Sequence, residues 1–235
     1  RNIAIGNNAY DASDTENDNI AIGYNAMTTD TAGGQFNTAI GNYAMDALTS
    51  GDNNTAVGHQ ALTENTTGIS NTAFGHTALT AATTGGYNTA VGYEALFSNT
   101  TAAANVAVGV YAMKQNTTGT RNIAIGHAAY DGSDTENDNI AIGYNAMTTN
   151  TAGGSSNVAI GNYSGDAITS GDYNTALGHL SLSATTTASF NVAVGQNALD
   201  SGPSTGNHNV GIGYGCGGHE ITMTSAAQNV LIGSL

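Results

Sequence analysis

The chain has 235 residues, with 32 Gly, 1 Pro, no Trp, 40% hydrophobic residues and only 9% charged ones. Disordered chains are charge-rich and poor in aliphatics, so this composition predicts an ordered protein built of many short elements. Three Lys+Arg against 17 Asp+Glu give a net charge of −14, which excludes the phosphates of nucleic acid and anionic membrane surfaces as partners.

In chain order the first element is NIAIG at 2–6, and it returns throughout. The pattern N-[ITV]-A-[IVLF]-G starts at Asn2, Asn19, Asn37, Asn54, Asn71, Asn88, Asn105, Asn122, Asn139, Asn157, Asn174 and Asn191, with looser copies at Asn209 and Asn229. The step is 17 residues nine times, 18 three times and 20 once. A longer period lies above it: residues 1–34 recur at 121–154 with four changes. Residues 1–201 therefore read as regular repeats. The looser text of 202–235, which holds the lone proline Pro203, reads as irregular terminal coils leading toward a C-terminal region absent from this sequence. The chain opens and closes inside repeat text, as a piece of a longer protein would. One cysteine, Cys216, excludes an internal disulfide framework and a cysteine-based zinc site. No apolar run reaches membrane-spanning length, so no membrane insertion is expected.

Within a coil, with the Asn as position 1, positions 2 and 4 are β-branched or apolar and position 3 is Ala in twelve copies. That alternation predicts a strand. Position 5 is Gly in every copy, as a turn with positive φ or a close backbone approach requires. Position 8 is Ala, Ser or Cys and position 9 mostly Leu, Met or Tyr, which predicts a short second strand. Seventeen residues cannot bury a core alone, whereas stacked copies can. The fold class expected is all-β, a parallel β-solenoid of about fourteen coils, with the invariant Asn stacked as an amide ladder down one edge. Small Ala at positions 3 and 8 predicts an Ala-lined face packed against sister chains around a three-fold axis.

Val57–Leu62 (VGHQAL) resembles the hexapeptide of left-handed β-helix acyltransferases, but that family needs three hexapeptides per coil and this chain has one. NIAIGYNA (19–26), NVAIGNYS (157–164) and NVAVGQNA (191–198) resemble more closely the head repeats of YadA-like trimeric autotransporter adhesins. The longer phrase NTAVGxxAL…NTTG is similar to phage tail-fibre repeats. These resemblances cover the whole chain. They imply a left-handed parallel β-roll, a homotrimer, an extracellular place on a virion tail fibre or bacterial surface, and attachment to a host glycan or protein receptor.

Three local features are candidates for chemistry. Asp14, Glu16 and Asp18 alternate in SDTEND, and Asp134, Glu136 and Asp138 repeat them. On an extended segment alternate carboxylates share a face and suit Ca²⁺, the cofactor this pattern would take; otherwise they form a solvated acidic loop. Position 6 runs through Tyr24, His59, His76, Tyr93, His127, Tyr144 and His179, a polar–aromatic column and the expected binding surface. Cys216 with His219 and Glu220 could form a nucleophilic site, but Cys216 sits in the Ala/Ser column, so packing is the expectation. The function expected is a structural fibre or adhesin segment and not an enzyme. An acyltransferase-like enzyme and an ice-binding solenoid are the alternatives, the latter weakened because Thr66-Thr67 and Thr117-Thr118 are adjacent in loops.

Overall fold

A computed structural model describes residues 1–11, 17–29, 33–150, 153–200, 206–217 and 227–234. Its residues form two compact units, Arg1–Thr118 and Gly119–Leu235. The first stacks β1 (Ile3–Ile5), β2 (Ile20–Ile22), β3 (Thr38–Ile40), β4 (Thr55–Val57), β5 (Thr72–Phe74), β6 (Thr89–Val91) and β7 (Val106–Val108) in chain order as a parallel sheet. The second does the same with β8 (Ile123–Ile125), β9 (Ile140–Ile142), β10 (Val158–Ile160), β11 (Thr175–Leu177), β12 (Val192–Val194), β13 (Val210–Ile212) and β14 (Val230–Ile232). Each strand is three residues long, and within each unit each pairs with the next at the same repeat position. Ala39 lies opposite Ala56, Ala56 opposite Ala73, and Ala73 opposite Ala90. This is the parallel β-solenoid that the periodicity predicts. Among the described residues no helix is long and apolar enough to cross a membrane.

The register is held from inside. Asn37, Asn54, Asn71 and Asn88 are wholly buried. The Asn54 backbone N–H donates to Asn37 Oδ1 at 2.8 Å, and its Nδ2 donates to Gly68 O at 2.8 Å in its own coil. Asn71 repeats both bonds, to Asn54 Oδ1 at 2.9 Å and to Gly85 O at 2.8 Å. The amides also touch one another, Asn88 Nδ2 donating to Asn71 Oδ1 at 3.1 Å. The predicted ladder exists, but as an internal spine rather than an edge. A buried amide left without partners costs about 1–3 kcal/mol, which accounts for Asn at this position in every coil.

The invariant Gly is fixed by a second constraint. Gly58 has φ +140°, and a Cβ there would sit 2.2 Å from the carbonyl oxygen of Gly75 in the next coil. Position 5 therefore needs both the glycine backbone region and the missing side chain.

Two expectations are corrected. Ala21, Ala26, Ala56 and Ala61 are fully buried, so the Ala at positions 3 and 8 line the inside of each coil and form no outer face. Small side chains are needed there because the coil is thin and Met27, Met45, Leu62 and Leu79 from position 9 fill the remaining volume. Full burial of each of those side chains contributes about 1.5–3 kcal/mol. The second correction concerns positions 7–9, which form a turn and not a second strand. Gln60 (φ 56°) and Leu62 (φ 55°) are left-handed, as are Asn25 and Met27. Their backbones still bond from coil to coil. Gln60 N donates to Asn42 O of the coil before, and Leu62 N donates to Ala78 O of the coil after. The two left-handed residues send their N–H groups to opposite neighbouring coils, while the Ala61 N–H between them turns back to Gly58 O of its own coil, so the chain is not extended.

Candidate functional site

With Ala turned inward, the outer surface of each coil carries positions 2, 4 and 6. Strands expose their middle residue least. In β4 Ala56 is buried while Thr55 and Val57 are partly exposed. Across the fourteen coils no position 2 or 4 is charged, and position 4 is always Ile, Val, Phe or Leu. Phe74 is 57% exposed and Leu177 44%, so each unit presents an apolar strand face to solvent.

Beside that face runs the aromatic column, and the structure connects it more fully than the sequence predicts. In the first unit the rings are continuous from Tyr24 to Tyr111. Tyr24 meets Tyr43 edge-on at 5.4 Å, and Tyr43 meets His59 edge-on at 6.1 Å. His59 stacks on His76 at 5.0 Å, His76 stacks on Tyr93 at 5.4 Å, and Tyr93 meets Tyr111 edge-on at 5.5 Å. In the second unit His127 stacks on Tyr144 at 5.3 Å, Tyr144 meets Tyr163 edge-on at 5.4 Å, and Tyr163 meets His179 at 6.3 Å. All seven predicted column residues belong to these runs. Tyr43, Tyr111 and Tyr163 were missed because they stand at position 7. The signal was present: each follows Asn42, Val110 or Asn162, so in these three coils position 7 carries the ring that position 6 lacks. A second stack, Tyr173 on Phe190 at 5.1 Å and Phe190 on His208 at 4.9 Å, occupies the position just before the ladder Asn.

Charges tune part of the column. Lys114 pairs with Glu94 at 2.7 Å and lies 4.8 Å above the Tyr111 ring. The Lys114 ammonium, and then the Tyr93 hydroxyl, hold the Glu94 carboxyl below the usual carboxylate range. Burial raises the Tyr43 phenol, helped by a hydrogen bond to the Tyr24 phenol and by nearby Asp46. Tyr163 is raised in the same way by burial, Tyr144 and Asp166. Burial also pushes the Asp166 carboxyl up to about 6.

The acidic loop sends its carboxylates to separate tasks. Glu136 is buried and points inward, its Oε2 accepting from Ser133 Oγ, Asp134 N and Thr135 N at 2.9–3.0 Å and its Oε1 from Gly153 N at 3.0 Å. Asp138 accepts from Arg121 through Nε at 2.6 Å and Nη2 at 2.8 Å, and that guanidinium holds its carboxyl below the usual range. Asp134 is exposed. In the first copy Asp18 pairs with Arg1 at 3.0 Å, while Asp14 and Glu16 lie outside the described residues. Among the described residues no three His, Cys, Asp or Glu side chains gather where a metal would sit.

Cys216 is buried, its thiol donating to Leu231 O at 3.1 Å, as a packed member of the Ala/Ser column. His219, Glu220 and Pro203 lie outside the described residues. The paired threonines form ladders of their own. Thr49, Thr66, Thr83 and Thr100 each donate Oγ1 to the carbonyl of the corresponding threonine one coil on, so these hydroxyls are committed to the backbone.

A scan against protein-family models finds no match, and searches of curated proteins and of solved structures find none either.

Proposed function

We propose that this chain is a segment of an extracellular attachment fibre, a left-handed β-roll in which three copies associate through their outward strand faces, carried on a virion tail or a bacterial surface. One observation supports it above the rest: positions 2 and 4 are uncharged in every coil, and their outward side chains stay partly exposed in a chain with a net charge of −14. A soluble monomer rarely leaves uncovered so long an uncharged strip, apolar at position 4 in every coil and threonine or aliphatic at position 2, and such strips mark association surfaces. The face repeats at each coil, so its area grows with the number of coils, as a permanent interface requires. The remainder of the surface, the aromatic columns included, stays free for attachment. The architecture serves spacing and adhesion, with no turnover.

Replacing Val57 and Phe74 together by Glu tests the face directly. Both point outward from β4 and β5, so the coil interior is untouched. The expected outcome is a shift from trimer to single chain in sedimentation velocity, with the far-ultraviolet β-sheet spectrum retained. An unchanged mass would remove the strand face as the interface.

A further inference from the structure

Three contacts in the aromatic column join one tyrosine to another, and all three are built alike. Tyr24 meets Tyr43 at 5.4 Å and 80°, Tyr93 meets Tyr111 at 5.5 Å and 78°, and Tyr144 meets Tyr163 at 5.4 Å and 71°. Each contact joins position 6 of one coil to position 7 of the next. Tyr93 and Tyr111 lie outside both copies of the duplicated text, so the arrangement is more than an echo of that duplication. The position 6 ring is exposed in every pair.

We propose that these pairs are sites of oxidative cross-linking, at which a one-electron oxidant of the haem peroxidase class, fed by hydrogen peroxide, joins consecutive coils through dityrosine. Each phenol gives up one electron and its O–H proton to become a phenoxyl radical, whose unpaired electron is shared with the ring carbons ortho to the oxygen. Two such radicals couple to form one C–C bond between ortho carbons. The two ortho hydrogens then move to the oxygens and restore the phenols. The balance is two tyrosines and one hydrogen peroxide giving one dityrosine and two waters. The fold supplies a second tyrosine ring already in contact, which makes the joining step intramolecular. The exposed ring admits the oxidant and has room to turn an ortho carbon toward its neighbour. Each link closes a loop little longer than one coil and so restrains the unfolded chain, as other covalent cross-links do.

Access and proximity predict different products. Tyr87, Tyr173 and Tyr214 are 56–62% exposed, against 40–43% for Tyr24, Tyr93 and Tyr144. Among the described residues no tyrosine ring lies beside any of those three, and the ring partner of Tyr173 is Phe190. A reaction ruled by access alone would act on them first and join chain to chain. A reaction ruled by proximity joins the column pairs within one chain.

The inference goes beyond the attachment fibre and does not depend on it. The test treats the dilute full chain with hydrogen peroxide and a haem peroxidase, then maps linked peptides by mass spectrometry. Tyr43→Phe, Tyr111→Phe and Tyr163→Phe are the variants. Phenylalanine keeps the ring, forms no phenoxyl radical, and already holds the left-handed backbone at Phe36 and Phe190. The expected result is dityrosine fluorescence, a loss of two hydrogens per link, and intrachain links between Tyr24 and Tyr43, Tyr93 and Tyr111, and Tyr144 and Tyr163. Each single variant should lose its own link and keep the other two, and the triple variant should form none of them. The oxidised chain should unfold at a higher urea concentration than the untreated one, and the oxidised triple variant should show no such rise. Links centred on Tyr87, Tyr173 or Tyr214, no dityrosine at all, dityrosine undiminished in the triple variant, or an unmoved urea midpoint in the linked chain would each overturn the inference.

Discussion

Two coils share the words Asn-Thr-Thr and part at the next residue. In the first, Asn65 is followed by Gly68; in the other, Asn99 is followed by Ala102. Asn65 is fully buried and satisfied locally, Nδ2 donating to Gly68 O at 3.1 Å and Oδ1 accepting from Gly68 N at 3.0 Å. A Cβ on Gly68 would stand 2.4 Å from that Oδ1, so the paired arrangement admits only glycine. At Ala102 the methyl is present, and both polar atoms of the equally buried Asn99 are left without partners. The fold absorbs the fault because neighbouring coils hold the backbone on either side. One methyl thus converts a stabilising amide into a buried liability.

Gly68→Ala attacks the comparison most strongly. It should strand the Asn65 amide and press on Gly85 O, 2.4 Å from the added carbon, at a cost of about 3 kcal/mol, read as a lower urea midpoint. Next in size is the pair of alanine substitutions. Asn65→Ala should lose about 1–2 kcal/mol, while Asn99→Ala should change stability by less than about 0.5 kcal/mol or raise it, because no bond is lost. Equal losses at the two sites would break the comparison. Asp166 extends the same reasoning to a charge. Its folded-state value near 6 exceeds the ordinary carboxyl value, so the fold favours the protonated form. Stability should therefore fall as pH rises through the interval from the ordinary value to about 6, and Asp166→Asn should remove that dependence. The group is half-exposed to screening, so the gain at pH 7 should be of order 1 kcal/mol, seen in thermal melts at pH 4 and 7. The smallest effect belongs to Ala102→Gly, where a re-paired Asn99 is offset by the backbone freedom of glycine. A net gain below about 1 kcal/mol is expected.

Much of this molecule is legible in its sequence because one coil constrains the next. The invariant Asn and Gly gave the period, the parallel register and the ladder, since both act through contacts that recur at every step. Direction was harder to read. Small Ala at positions 3 and 8 suits close approach inside a coil or between chains, and only the burial of Ala56 and Ala61 decides for the inside. Alternating apolar residues cannot report the sign of φ, so the turn at Gln60 and Leu62 read as a strand. On an extended segment Glu136 would point outward with its neighbours, while the fold turns it onto the backbone N–H groups of Asp134 and Thr135. The aromatic column was half visible: counting one repeat position found His59 and His76 but not Tyr43, whose ring enters the column from the next residue.

Association through the strand face is tested most directly by the mass of the unmodified chain in solution. Light scattering after size exclusion should give three times the 23.5 kDa of one chain, unchanged on dilution through the micromolar range. A particle of a single chain mass, soluble with its apolar face uncovered, would contradict the account.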